Sequence, residues 1–158
     1  MLIHLSDYCQ VIGRKTELKV DYTKDSIDVG GVTYDLTDKK PADFCIECTD
    51  KDKLSISFEM NIEASVPCDR CLKEVIVPVS VSHKDDIQLS ETDGELDTDE
   101  LLYREILIEW PSKVVCSDDC KGLCMKCGSD LNEGDCGCDR FIPDPRMAAI
   151  LDVFNNSK

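Results

Sequence analysis

The sequence predicts an α+β protein, mainly antiparallel β-sheet with one main helix and a cysteine-rich segment towards the C-terminus. Three observations carry that prediction. Residues 54–62 alternate Leu54, Ile56, Phe58, Met60 and Ile62 with Ser55, Ser57, Glu59 and Asn61, the period of two that buries one face of a strand. Leu101, Leu102, Ile106, Leu107 and Trp110 recur at helical spacing until Pro111 stops the pattern. Residues 116–138 hold six cysteines and four glycines with hardly any apolar side chains, so a hydrophobic core cannot hold that segment together.

Taken in order, residues 1–66 read as short extended segments: 18–22, then 27–36 around the turn signal Gly30-Gly31, then the alternating run 54–62. Residues 75–81 read as a further strand, with Pro78 placing it at a sheet edge or a bulge. Residues 85–100 contain eight acids and no Lys or Arg, which predicts a solvated connection. The helix is predicted over about 98–110, capped by Asp97 or Thr98, with Asp99 and Glu100 at the positive end of its dipole. Asp144-Pro145-Arg146 before MAAILDVF predicts a short second helix. The organisation expected is a β-rich domain over 1–115, a cysteine-rich module over 116–140, and a short helix and tail over 141–158.

Composition narrows the class. The chain has 158 residues, 42% of them hydrophobic, which suffices for a core and argues against global disorder. No apolar run approaches the roughly 18 to 20 residues that cross a bilayer, and MLIHLSDYCQVIGRK lacks a secretory leader, so a cytoplasmic location is expected. In a reducing cytosol eleven cysteines point to metal or redox chemistry rather than a disulfide framework. A net charge of −15 argues against broad attraction to nucleic acid, so RNA contact must be local or carried by a partner.

Four cysteine pairs have ligand spacing: Cys68 and Cys71, Cys116 and Cys120, Cys124 and Cys127, Cys136 and Cys138. Eight thiolates make two tetrahedral sets, and a surplus of sulfur favours closed structural sites, so two Zn²⁺ ions and a zinc-ribbon-like segment are expected. Gly128 after Cys127 lets backbone N–H groups turn back towards the sulfurs. Loop length favours Cys124 and Cys127 with Cys136 and Cys138, across only residues 128–135, which leaves Cys68 and Cys71 with Cys116 and Cys120. The other grouping joins Cys68 and Cys71 to Cys124 and Cys127. Iron–sulfur ligation and a dithiol couple at Cys68 and Cys71 are the competing chemistries, the second disfavoured because a strand rather than a helix follows the motif. Cys9, Cys45 and Cys48 read as small packed residues, since positions three apart on a strand face opposite ways. His4 and His83 have no partner at ligand spacing. No acid–base pair in a pocket, phosphate loop or nucleophile elbow is evident, so no catalytic residue is assigned and an enzyme is not expected.

The ordered set Cys68-Asp69-Arg70-Cys71-Leu72, the helix ending Ile108-Glu109-Trp110-Pro111, the run from Val115 through Cys120-Lys121-Gly122-Leu123-Cys124, then Cys127-Gly128-Ser129-Asp130-Leu131-Asn132 and Asp144-Pro145-Arg146 resembles the YceD family of large ribosomal RNA subunit accumulation proteins. The resemblance implies a non-enzymatic bacterial cytoplasmic factor supporting ribosome biogenesis. It further implies metal binding, and partners among large-subunit rRNA, a ribosomal protein or pre-ribosomal particles, with no membrane and no small-molecule substrate. It also implies a ligand-like pair near Cys116 and Cys120 in members lacking the Cys124 to Cys138 set, in line with the first grouping. Met125, where Pro is common, and the extra Cys9, Cys45 and Cys48 depart from the pattern.

Arg70, Lys73, Lys113, Lys121 and Lys126 lie within or beside the motifs and are the candidate RNA- or partner-binding residues; the bland alternative is that they only offset thiolate charge. A thiol oxidoreductase or metal-transfer protein is the alternative function. With eight thiolates and two divalent ions the formal charge would move from −15 to −19, yet residues 66–84 carry three cations against two acids and 112–140 four against six.

Overall fold

The computed structural model describes residues 1–91 and 94–139. The second expected helix, over 141–158, lies outside the described residues.

The scaffold is one long hairpin. Strands β6 (Lys53–Pro67) and β7 (Glu74–Gln88), fifteen residues each, pair antiparallel from Lys53↔Gln88 to Pro67↔Glu74. The free edge of β6 is shared by β5 (Ala42–Asp50) and β4 (Val32–Lys39), with β2 (Lys15–Val20) outside β5 and β3 (Ser26–Val29) outside β4. All pairings are antiparallel. The alternation predicted for 54–62 is observed and extends to Val66, since Leu54, Ile56, Phe58, Met60, Ile62, Ala64 and Val66 are all buried. Phe58 stacks on Phe44 of β5, ring centroids 4.6 Å apart. A helix α1 (Thr98–Ile108) covers this face with Leu101, Leu102 and Ile106. Asp97 caps it by accepting from the Asp99 N–H at 3.0 Å, a contribution of about 1 kcal/mol. Trp110, beyond the helix end, leans on Tyr34 at 5.3 Å.

The acidic stretch departs from expectation. β7 runs on through Asp85 and Asp86 to Gln88, and Glu95–Asp97 forms β8, paired with β1 (Leu2–His4). Composition suggested a solvated connection, but Ile87 lies opposite Leu54, and Asp86 meets Lys53 at 2.8 Å, which offsets its charge within the ladder. Pro78 is tolerated because β7 pairs only with β6 among the described strands.

Candidate metal centres

The turn of the β6–β7 hairpin is the first cysteine knuckle. Cys68 N–H donates to Lys73 O at 2.8 Å and Leu72 N–H to Cys68 O at 2.9 Å, a tight reversal that leaves Leu72 at φ +61°. The second knuckle repeats it: Gly128 N–H donates to Cys124 O at 2.8 Å with Gly128 at φ +75°, and Cys124 N–H reaches Ser129 O at 2.8 Å. Between them, residues 112–123 fold back along the first knuckle. Asp69 N–H donates to Val114 O (2.9 Å), Val114 N–H to Asp69 Oδ2 (2.7 Å), and Leu123 N–H to Arg70 O (3.0 Å). Among the described residues the cysteine-rich segment carries one isolated bridge, Leu123↔Asp130.

This backbone gathers eight sulfurs into two sets: Cys68, Cys71, Cys116 and Cys120, and separately Cys124, Cys127, Cys136 and Cys138. Within each, all four sulfurs lie within 4.8 Å of one another, a spacing that fits ligands shared around one ion. It is the grouping favoured by loop length; Cys68 and Cys71 do not meet Cys124 and Cys127. In the first set Cys68 and Cys120 sulfurs are 3.9 Å apart, Cys71 and Cys116 3.5 Å. Cys68, Cys71 and Cys120 are buried and Cys116 is exposed; in the second set only Cys124 is buried.

The electrostatics suit a dication. In the metal-free thiol form, backbone N–H groups, that of Cys71 foremost, lower the Cys68 thiol to about 6, despite opposing burial. The Ser129 hydroxyl and N–H lower Cys127 to about 6 as well. Burial pushes Cys120 up, but the Asn132 amide and the Gly122 N–H outweigh it and leave it lowered. The last thiols resist: Cys116 is pushed up to about 12, chiefly by Cys120, and Cys138 to about 12, chiefly by Cys127. One thiolate in each set therefore forms readily while its neighbour holds a proton, as crowded like charges require; a divalent ion removes that conflict by displacing the protons.

Outer contacts brace both sets. Asn132 donates from Nδ2 to Cys120 Sγ at 3.5 Å and accepts Lys121 N–H at 2.8 Å, while Asp130 Oδ1 holds the Asn132 amide at 2.7 Å. Of the five candidate cations, two are engaged within the site. Arg70 Nη1 donates to Cys120 O at 2.7 Å, and Lys73 pairs with Asp130 at 2.9 Å and Glu133 at 3.5 Å. Lys113, Lys121 and Lys126 are exposed.

Cys48 is buried and Cys45 turns to the opposite face, half-buried, as strand geometry requires. Cys9, 39 residues away from Cys48 in sequence, comes to 3.2 Å from its sulfur, a contact no spacing rule signals. His4 meets Glu95 at 3.3 Å and His83 meets Glu105 at 3.2 Å, so both histidines have partners that the sequence does not reveal.

Comparison with known families adds the decisive observation. Residues 79–154 match the family model of the Large ribosomal RNA subunit accumulation protein YceD. This is the family that the ordered motifs resemble. The YceD match takes in most of β7, β8, α1, Cys116, Cys120 and the whole second cluster; Cys68 and Cys71 lie just ahead of it. No curated protein and no solved structure matches the chain.

Proposed function

We propose that this protein is a non-enzymatic, metal-binding cytoplasmic factor that supports accumulation of large-subunit ribosomal RNA, and hence ribosome biogenesis. The observation that carries the proposal is a YceD match that encloses one complete four-sulfur set and half of the other. Cys68, Cys71, Cys116 and Cys120 hold one Zn²⁺, and Cys124, Cys127, Cys136 and Cys138 a second. Four thiolates per ion leave no open coordination position for a substrate or water, which supports a structural role over catalysis or metal transfer. Supplied in this way, the metal fixes the two knuckles as a rigid surface at the end of the hairpin.

The partner is a large-subunit ribosomal protein or rRNA. The outer sheet face supports a basic protein: Asp38 stands directly opposite Glu63, a like-charge pair that weakens a ladder and becomes favourable beside a cationic partner, and Glu59 lies opposite Asp43, which Lys19 already meets at 3.2 Å. For RNA, the contact falls to Lys113, Lys121 and Lys126, because Arg70 and Lys73 are already bound within the site.

The test is recovery of tagged protein from cells at low salt, with sequencing of bound RNA, identification of bound protein, and subunit ratios in a deletion strain. Enrichment of large-subunit rRNA or pre-ribosomal particles and a fall in large subunits is expected. No enrichment together with unchanged ratios overturns the proposal. Elemental analysis tests the metal assignment separately: two zinc ions per chain, each set losing its own when Cys68→Ser or Cys124→Ser is made.

A further inference from the structure

Cys9 and Cys48 belong to neither four-sulfur set, yet their sulfurs stand closer, at 3.2 Å, than Cys71 and Cys116 do at 3.5 Å. Backbone contacts build this apposition. Gly13 N–H donates to Cys48 O at 2.7 Å and Cys48 N–H to Arg14 O at 3.1 Å, laying the loop between β1 and β2 along the end of β5. Cys9 closes a single helical turn, Leu5–Tyr8, whose Leu5 is in the core. Cys9 donates to Asp50 O at 3.2 Å and Lys51 O at 3.3 Å, and Cys48 to Asp50 O at 3.3 Å. With two sulfurs and no third side-chain ligand, the pair forms no metal-holding group among the described residues.

We propose that Cys9 and Cys48 form a redox-modification site, whose co-substrate is a low-molecular-weight disulfide and whose product is a Cys9–Cys48 disulfide. Cys9, half-buried and reachable, attacks one sulfur of the disulfide as its thiolate. The S–S bond breaks, one thiol leaves, and a mixed disulfide remains on Cys9. Cys48 then attacks the Cys9 sulfur, the intramolecular S–S bond forms, and the second thiol leaves. Two protein thiols are oxidised and one external disulfide is reduced to two thiols, which carry away the two protons. Cys48 is 0% exposed and reaches no external disulfide, which assigns it the resolving step. Its thiol is raised, first by burial, so the resolving step quickens with rising pH. The bond would add a covalent tie between the Leu5–Tyr8 turn and the central sheet to the β1–β8 ladder, the buried Leu5 and the Gly13–Cys48 hydrogen bond that already hold this segment.

The test uses the full-length, zinc-loaded, reduced protein incubated with oxidised glutathione over a range of pH, followed by acid quenching, alkylation and peptide mapping. Expected is a Cys9–Cys48 linked peptide with a loss of about 2 mass units, reversed by dithiothreitol and formed faster as pH rises. Closing a loop of this length raises Tm by roughly 5 to 15 °C. Cys9→Ser, at a half-buried turn, abolishes the linked peptide and the Tm rise while leaving zinc content unchanged; Cys48→Ala does the same and leaves glutathione trapped on Cys9. A mixed disulfide on Cys9 that persists in the wild-type chain, crosslinks confined to the eight clustered cysteines, or no reaction at all each overturns the proposal. None of these outcomes depends on the ribosomal function.

Discussion

Replacing Gly122 with alanine attacks the seam on which the first sulfur set depends. Gly122 has φ +77°, and a Cβ there would lie 3.0 Å from Arg70 O and 3.4 Å from Arg70 Cβ. Arg70 O already accepts Leu123 N–H at 3.0 Å, and Gly122 O accepts Leu131 N–H at 2.9 Å, so neither side retreats without losing a hydrogen bond. The left-handed conformation costs an L-residue about 1–2 kcal/mol. Overlap with rigid backbone adds about 1–3 kcal/mol, and the stiffer unfolded chain returns about 0.4–1 kcal/mol. The net cost is about 3 kcal/mol, which at about 1.4 kcal/mol per decade weakens metal retention by the first set about 100-fold. Gly128→Ala is the control, because Gly128 shares the conformation (φ +75°) but has nothing within 4 Å of its Cβ position. Conformation alone costs it a net of about 0.8 kcal/mol, or about 4-fold at the second set. Chelator competition on Co²⁺-loaded protein reads the two sets separately, using Cys124→Ser as background for the first and Cys68→Ser for the second. If Gly122→Ala releases metal no more readily than Gly128→Ala, the steric argument fails.

Other perturbations separate backbone, side-chain and charge effects. Asp69→Ala strands the buried Val114 N–H, which should cost about 1–3 kcal/mol in denaturant unfolding; a change below about 0.5 kcal/mol would mean that solvent replaces the carboxylate. Leu72→Gly removes a side chain that is 64% exposed and relieves its positive φ, so stability should hold within about 1 kcal/mol or rise, and a larger loss would reveal packing absent from the fold. In metal-free, reduced protein, thiolate absorbance should rise in a first step near pH 6, from Cys68 and Cys127, and end in a step near pH 12, from Cys116 and Cys138. Cys68 and Cys127 lie below the ordinary thiol value of about 8.5, so their stabilisation is complete above that pH and is lost as pH falls through about 6. Cys116 and Cys138 lie above it, so theirs is complete below that pH and is lost as pH rises towards about 12. Metal-free stability should therefore peak between those limits, and a monotonic profile would contradict the assignment.

What could be foreseen depended on whether the deciding partner was near in sequence. The strand over 54–62 was legible because one buried face imposes alternation on consecutive residues, and α1 because its cap and apolar stripe are local. The grouping of the sulfurs was legible for the second set because only residues 128–135 separate its pairs. It followed for the first by remainder. The acidic stretch misled because composition registers charge but not Lys53, more than thirty residues away, which pairs with Asp86. β1 and β8 are three residues each and exist through one another across the chain, so neither carries its own signal. The same distance hid the fates of Arg70 and Lys73, bound to Cys120 O and Asp130, and the meeting of Cys9 with Cys48.

The two sulfur sets are mechanically coupled, and the link is Asn132. It stands in the loop between the two halves of the second set, yet its amide reaches Cys120 Sγ and its carbonyl oxygen accepts Lys121 N–H. Asp130, from the same loop, holds both Asn132 and Lys73, which flanks the first knuckle. Closing the second set therefore orders donors that lower Cys120 and brace the first. The brace runs both ways, because a first set closed on its ion holds Cys120, Lys121 and Lys73 in place for the Asn132 and Asp130 contacts of the second set's loop. Loss of Cys124 should thus loosen metal at the first set, on the order of 10-fold and mimicked by Asn132→Ala, and loss of Cys68 should loosen metal at the second by a similar factor, because the coupling between two sites is reciprocal. If neither loss is felt at the other set, or if Asn132→Ala leaves metal retention at the first set unchanged, the coupling through Asn132 is refuted.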